Sequence, residues 1–183
     1  CRNVMFRDAR FDTVELPRSP GLETRHPRRC EMVVIDFGGA VFLDRDLHDG
    51  TIGTRHFRSP EVVLGLPWDE KTDLWSVGTL VAMTHFGNRP FGMKQDMEHL
   101  ALMERLTGAA LPPTMARRSA SKGRMPRGVV FDGQGKLDWP SGAPDDEARE
   151  RLRGTPPLRD QVLPRHAALL ELLEGLLQLD PRH

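Results

Sequence analysis

One carboxylate and one carboxamide stand out as groups that could do chemistry. Asp36 follows the short apolar run Met32–Ile35 and is followed at once by Phe37-Gly38. Asn3 ends a short polar turn and precedes Val4-Met5-Phe6. Both offer hard oxygen donors. Mg²⁺ takes oxygen ligands from few protein groups and leaves the rest of its shell to water and phosphate. A phosphoryl group in transfer carries several negative charges that such a cation neutralises. Gly38 would let the chain turn sharply just after the carboxylate. Ser59-Pro60-Glu61 comes next, with Glu61 25 residues beyond Asp36, and then Asp73-Leu74-Trp75-Ser76-Val77-Gly78. Each element alone is weak; their order carries the information.

These residues need elements to hold them. Asn3–Phe6 and Met32–Ile35 have strand character. The polar stretch between them, with Pro17, Pro20 and Pro27, reads as a loop, and so do residues 36–61. Residues 73–87 are apolar nearly all round, which predicts the most buried helix of the chain, with Asp73 as its N-cap. A second helix is expected over 95–107, with Met97, Leu100, Ala101, Met103 and Leu106 at helical spacing. Residues 108–164 are rich in Pro, Gly and Arg and read as an irregular insert, its basic part at Arg117, Arg118, Lys122, Arg124 and Arg127. Leu169, Leu170, Leu172, Leu173, Leu176 and Leu177 mark a last amphipathic helix over 166–179. Trp75 reads as core, and the scattered His48, His56, His85 and His99, without metal-ligand spacing, as surface or satisfied core groups.

The 183 residues suit one domain or part of a larger one. Lys plus Arg and Asp plus Glu number 26 each, so no global basic field exists to hold a nucleic-acid backbone or an anionic membrane. With 38% hydrophobic residues, 17 Gly and 15 Pro, a folded domain with long irregular loops is expected. Cys1 and Cys30 make no disulfide framework, and a reducing compartment, nuclear or cytoplasmic, is expected. No apolar run is long enough to span a bilayer. The chain starts without methionine and reads as part of a longer protein.

The order Asn, Asp-Phe-Gly, Ser-Pro-Glu resembles the signature of eukaryotic protein kinases. More narrowly, the chain resembles the LAMMER (CLK-type) branch of the CMGC kinases. Glu98-His99-Leu100-Ala101-Leu102-Met103-Glu104-Arg105 is similar to the namesake EHLAMMER helix, with Leu102 in place of one Met. Thr51 to Glu61 is similar to the family's STRHYRAPE segment, and Lys136-Leu137-Asp138-Trp139 to its RLDW. The long gap between Asn3 and Asp36 suits that branch, whereas Phe57 in place of Tyr and Gly39 in place of Ser depart from it.

The resemblance implies a mainly α fold with a few short strands, the C-terminal lobe of the bilobal kinase fold without its N-terminal lobe. Residues 1–183 would be one partial kinase domain, with 108–164 as its insert. The implied activity is transfer of the ATP γ-phosphoryl group to Ser or Thr, with dual specificity toward Tyr, on Arg/Ser-rich splicing-type proteins. ATP and Mg²⁺ are the implied cofactors, held by Asn3 and Asp36. Thr54 would orient the catalytic loop and, with Thr51 and Arg58, shape the substrate pocket. Glu61 would brace the lobe by pairing with an Arg near the last helices, and Asp73 would hold the catalytic-loop backbone. The LAMMER-like helix reads as structural, its Glu and Arg fixing neighbouring loops by ion pairs. The protein is expected to be a monomer that binds neither nucleic acid nor membrane directly. By the same resemblance the catalytic Asp, the Gly-rich loop and the ATP-positioning Lys belong upstream of Cys1, so the 183 residues alone are expected to be inactive and only marginally stable. A pseudokinase or truncated product serving as a protein-binding scaffold is the alternative.

Overall fold

Val4-Met5-Phe6 and Met32-Val33-Val34 are apolar and partly β-branched, and they pair. In the computed structural model, β1 (Val4–Phe6) and β4 (Met32–Val34) form an antiparallel ladder with Val4 opposite Val34 and Phe6 opposite Met32. The structure describes residues 3–16, 19–42 and 48–182; Cys1, Pro17 and His183 lie outside the described residues. The chain divides into two units, Cys1–Phe42 and Leu43–His183. In the first, the stretch expected to be a loop contains a second antiparallel pair, β2 (Phe11–Glu15) with β3 (Glu23–Pro27). Arg25 lies over the Phe11 ring at 4.4 Å, and Arg28 pairs with Asp12. Hydrophobic alternation could not announce this hairpin, because every residue of β2 is exposed.

The second unit is helical. Its elements are α1 (Pro60–Val63), α2 (Lys71–Phe86), α3 (Asp96–Thr107), α4 (Pro113–Ser121), α5 (Asp146–Gly154), α6 (Leu158–Gln161) and α7 (Ala167–Leu176). The insert is therefore not irregular throughout: α4, α5 and α6 lie within it. Asp145 caps α5 by accepting a hydrogen bond from the Ala148 amide, with acids in the first turn and arginines in the last to match the helix dipole. The core gathers Leu64, Leu66, Trp75, Phe91, Met97, Leu100, Met103, Leu111, Met115 and Leu173. Among the described residues no helix is long and apolar enough to cross a membrane.

The helix expected to be most buried is not. In α2 the side chains of Leu74 and Val77 are 50% and 45% exposed, whereas α3 buries eight of its twelve residues. An apolar helix shows which faces can be buried, not which ones find partners. Asp73 is not the N-cap either. The helix starts earlier, at Lys71, whose amide donates to the Asp69 carboxylate at 3.0 Å. Asp73 sits exposed in the first turn, where a negative charge still suits the dipole.

Gly78 marks the tightest contact of α2. A Cβ there would lie 2.9 Å from Leu176 Cβ and from Leu177 Cδ2. Mid-helix glycine costs about 1 kcal/mol relative to alanine, so alanine would help if space allowed. Space does not allow it, and Gly78→Ala is expected to destabilise the protein by about 1–3 kcal/mol through overpacking. Urea midpoints measure this; a stabilised variant would mean that α7 can give way freely.

Candidate functional site

The β1/β4 ladder brings the two oxygen donors together. One step beyond Val4↔Val34, the Ile35 amide donates to the Asn3 carbonyl at 2.9 Å. That register places Asn3 beside Asp36, and Asn3 Nδ2 donates to Asp36 Oδ2 at 3.2 Å. Asp36 has φ +67° and ψ +67°, the one non-glycine residue with positive φ among those described. Asp is one of the few residues that enters this left-handed region at modest cost, and such strain concentrates at functional sites. The chain then turns through a 3-10 segment, Phe37–Gly39. Both donors are exposed. Among the described residues no group of three His, Cys, Asp or Glu could hold a metal. One carboxylate with one carboxamide fits a cation that takes most of its ligands from phosphate and water, which is the habit of Mg²⁺.

The segment holding Thr51, Thr54, Arg58 and Glu61 belongs to the second unit. Of residues 36–61, expected to be a loop, 43–47 lie outside the described residues; 48–59 form neither a continuous helix nor a strand and contain one 3-10 turn, Arg55–Phe57, whereas Pro60 and Glu61 already begin α1. Thr54 is the exposed residue before that turn, and its carbonyl accepts from the Phe57 amide at 2.9 Å. Arg58 follows the turn, and its Nε donates to the carbonyls of Ile52 and Gly53, both at 3.1 Å. Thr51 and Thr54 are exposed hydroxyls on the same short stretch that Arg58 folds back upon. Burial, and then the charge of Arg55, weaken the hold of Arg58 on its proton, while Asp96 opposes this.

Behind the turn the segment is locked. Ser59 Oγ and Thr72 Oγ1 are hydrogen-bonded at 2.8 Å, both buried. Glu61 is 3% exposed, and burial raises its carboxyl pKa, an effect that a hydrogen bond from Ser59 offsets in part. Among the described residues no Lys or Arg forms an ion pair with it. Lys71 Nζ donates instead to the Pro181 carbonyl, and Arg182, the candidate partner by position, turns to Asp180 with its Nη2 at 2.6 Å.

The LAMMER-like segment ties down its neighbours, though among the described residues only Glu98 does so by an ion pair, with a helix and not a loop, while Glu104 and Arg105 bond to backbone groups. Glu98, 1% exposed, receives Arg151 of α5 at 2.6 Å. The Glu104 carboxylate accepts from the Leu111 amide at 2.7 Å, and Arg105 Nε donates to the Thr155 carbonyl at 2.7 Å. These contacts fix the segments around α3.

His99 departs from expectation. It is fully buried against Phe91, with ring centroids 5.3 Å apart, and neither ring nitrogen has a hydrogen-bond partner. It is therefore not a satisfied core histidine. Burial holds its pKa well below the ordinary value, with the charges of Arg55, His56 and Arg58 adding to the effect. The unfolded chain takes up a proton near pH 6.5 that the folded chain refuses. Stability should therefore fall as pH drops below about 6.5, by up to about 1.4 kcal/mol per pH unit from this residue. Urea melts at pH 7.5 and 5.5 should show a larger loss for the wild type than for His99→Leu. Equal losses would mean that the buried ring does not govern the slope.

Other contacts at the site carry no signal in the sequence. The Arg55 guanidinium pairs with Asp96, 41 residues away, and Ser76 Oγ donates to the Phe57 carbonyl at 2.9 Å. No periodicity links such positions.

Several known proteins are similar to this chain. The protein kinase domain family matches residues 23–183. Serine/threonine-protein kinase AFC1 of Arabidopsis thaliana is 36% identical over 159 residues, 85% of this chain and 33% of its own length. Dual specificity protein kinase CLK2 of Homo sapiens is 30% identical over 183 residues, 98% of this chain and 34% of its own length. A kinase domain solved by crystallography superposes with a TM-score of 0.84 at 29% identity, over 98% of this chain and 52% of that one. The chain thus spans about a third of the length of these two relatives and about half of that solved domain. With a single family matched from residue 23 to residue 183, on a kinase fold, the chain belongs to the protein kinase domain family.

Proposed function

We propose that the protein containing this chain transfers the γ-phosphoryl group of ATP to Ser and Thr hydroxyls of protein substrates, with dual specificity toward Tyr, as a LAMMER-type member of the CMGC kinases. The chain supplies the C-terminal lobe. The observation that carries this reading is the pairing of Asn3 with Asp36 at the end of the β1/β4 ladder, with Asp36 in a left-handed conformation. Their oxygens would hold Mg²⁺, and the bound cation would neutralise the phosphate charge. In the transfer the substrate hydroxyl bonds to the γ-phosphorus, the bond to the ADP oxygen breaks, and the hydroxyl proton leaves. Thr51, Thr54 and Arg58 would shape the docking site for the residues around that hydroxyl, Glu61 would brace the lobe, and Asp73 would hold the catalytic loop. The names of the relatives, serine/threonine and dual specificity kinases, support the choice of acceptor.

Similarity to EHLAMMER at Glu98–Arg105 and to RLDW at Lys136–Trp139 supports Arg/Ser-rich proteins as substrates and a nuclear or cytoplasmic site of action. The test is a peptide panel offered to the complete protein with γ-labelled ATP. Arg/Ser repeats should be labelled at higher kcat/KM than acidic or Pro-directed peptides. Equal labelling of all peptides would remove the substrate assignment, and binding of peptides without any transfer would favour a scaffold.

A further inference from the structure

The 3-10 turn Arg55–Phe57 cannot hold its own shape. It is three residues long, its preceding residue makes no side-chain cap, and its backbone supplies only the bonds from Phe57 to Thr54 and from Arg58 to Arg55. Among the described residues, three other contacts tie it down. The Arg55 guanidinium pairs with Asp96, His56 Nδ1 donates to the Phe91 carbonyl at 2.6 Å, and the Phe57 carbonyl accepts from Ser76. Two of the three land on residues 91–96, the approach to α3. Arg55 and Asp96 are both partly buried, at 36% and 27% side-chain exposure, so salt screens their attraction less than it would at the open surface.

The charge balance points the same way. Arg55, His56 and Arg58 gather around the buried, neutral His99: beyond the effect of burial, Arg55 weakens the hold of Arg58 on its proton, and all three weaken that of His99. Asp96 is the acidic group that acts on Arg58 there, and it is the first residue of α3, where a carboxylate also meets unpaired amides. Without its charge, two guanidiniums would repel at the base of a turn with little internal support.

We propose that Asp96 is a positioning residue for substrate docking: through Arg55 it fixes the turn between Thr54 and Arg58, and so the geometry of the site that receives the protein substrate. The proposal rests on the kinase reading above. Asp96 itself touches no substrate, so its loss should affect docking of the protein substrate and not binding of nucleotide.

The experiment uses the complete kinase and an Arg/Ser peptide, with Asp96→Asn, Asp96→Glu, Arg55→Ala and the double variant Arg55→Ala/Asp96→Asn. Asp96→Asn should raise the peptide KM about tenfold with the KM for ATP unchanged. Asp96→Glu should restore most of it. The double variant should be no worse than Arg55→Ala alone, because both remove one contact. Amide exchange over residues 51–58 should quicken in Asp96→Asn. An unchanged peptide KM, or additive effects in the double variant, would overturn the proposal. A rise in both KM values together with a drop in Tm would overturn it too, by making Asp96 a general stabiliser. A wild-type protein that labels no peptide would instead overturn the kinase reading, and the proposal with it.

Discussion

Replacing Asp36 in the complete protein is expected to lower kcat for phosphoryl transfer by at least about 10³-fold and to leave the fold intact. Catalysis of this kind is mostly electrostatic, and a single preorganised stabilising group already contributes about 10²–10³ in rate. Asp36 is exposed and, among the described residues, makes one side-chain bond, to Asn3, so little packing is lost with it. The choice of variant matters because of the backbone. At φ +67° alanine would add strain, whereas Asn enters this region about as readily as Asp. Asp36→Asn therefore removes the charge alone, and Asp36→Ala removes charge and side chain. Both should be inactive in steady-state assays, with Asp36→Asn close to the wild-type Tm. Wild-type kcat in Asp36→Asn would contradict the metal assignment, and a collapse of its Tm would make Asp36 a structural residue.

The second large effect is expected at Arg151. Its guanidinium meets Glu98, and the hydrogen bond to Glu98 is the main reason its own pKa is raised. The other bond to the Glu98 carboxylate, from the Lys94 amide, is long at 3.4 Å. Arg151→Ala would leave a carboxylate of 1% exposure without its counter-charge. Breaking a buried pair in this way costs about 3–5 kcal/mol. Arg151 is itself 34% exposed, so water can approach from its side, and the low end, about 3 kcal/mol, is expected. Urea unfolding of the complete protein measures it. The double variant Glu98→Gln/Arg151→Ala should recover part of the loss, because no buried charge is then stranded. A change below about 1 kcal/mol for Arg151→Ala would mean that α3 and α5 are held by apolar packing alone.

Legibility in the sequence followed the strength of the physical signal. Helix α3 announced itself because Met97, Leu100, Met103 and Leu106 mark the face it buries. Strands β1 and β4 were visible as short apolar runs. The β2–β3 hairpin was not, since β2 is exposed along its whole length and the pair is held by contacts such as Arg25 on Phe11, which leave no periodic trace. Helix α5 carries an Asp145 cap and graded charges, but lies in a stretch whose Pro and Gly content suggested loops. Of the site, Asn3 and Asp36 could be read from residue type and order, and a strand register then joined them. The partner of Arg55 could not be read. Asp96 looks like any acid in a first helical turn until the fold brings it to the Arg55–Phe57 turn.

Mass-spectrometric detection of γ-phosphoryl transfer by the complete protein, across a Mg²⁺ titration, decides most directly whether the Asn3–Asp36 pair serves a protein kinase. The expected result is a Ser- or Thr-phosphorylated Arg/Ser peptide that gains the mass of one phosphoryl group, forms only with Mg²⁺ present, and is lost in Asp36→Asn. No phosphorylated peptide at any Mg²⁺ concentration, or a yield independent of both Mg²⁺ and Asp36, would contradict it.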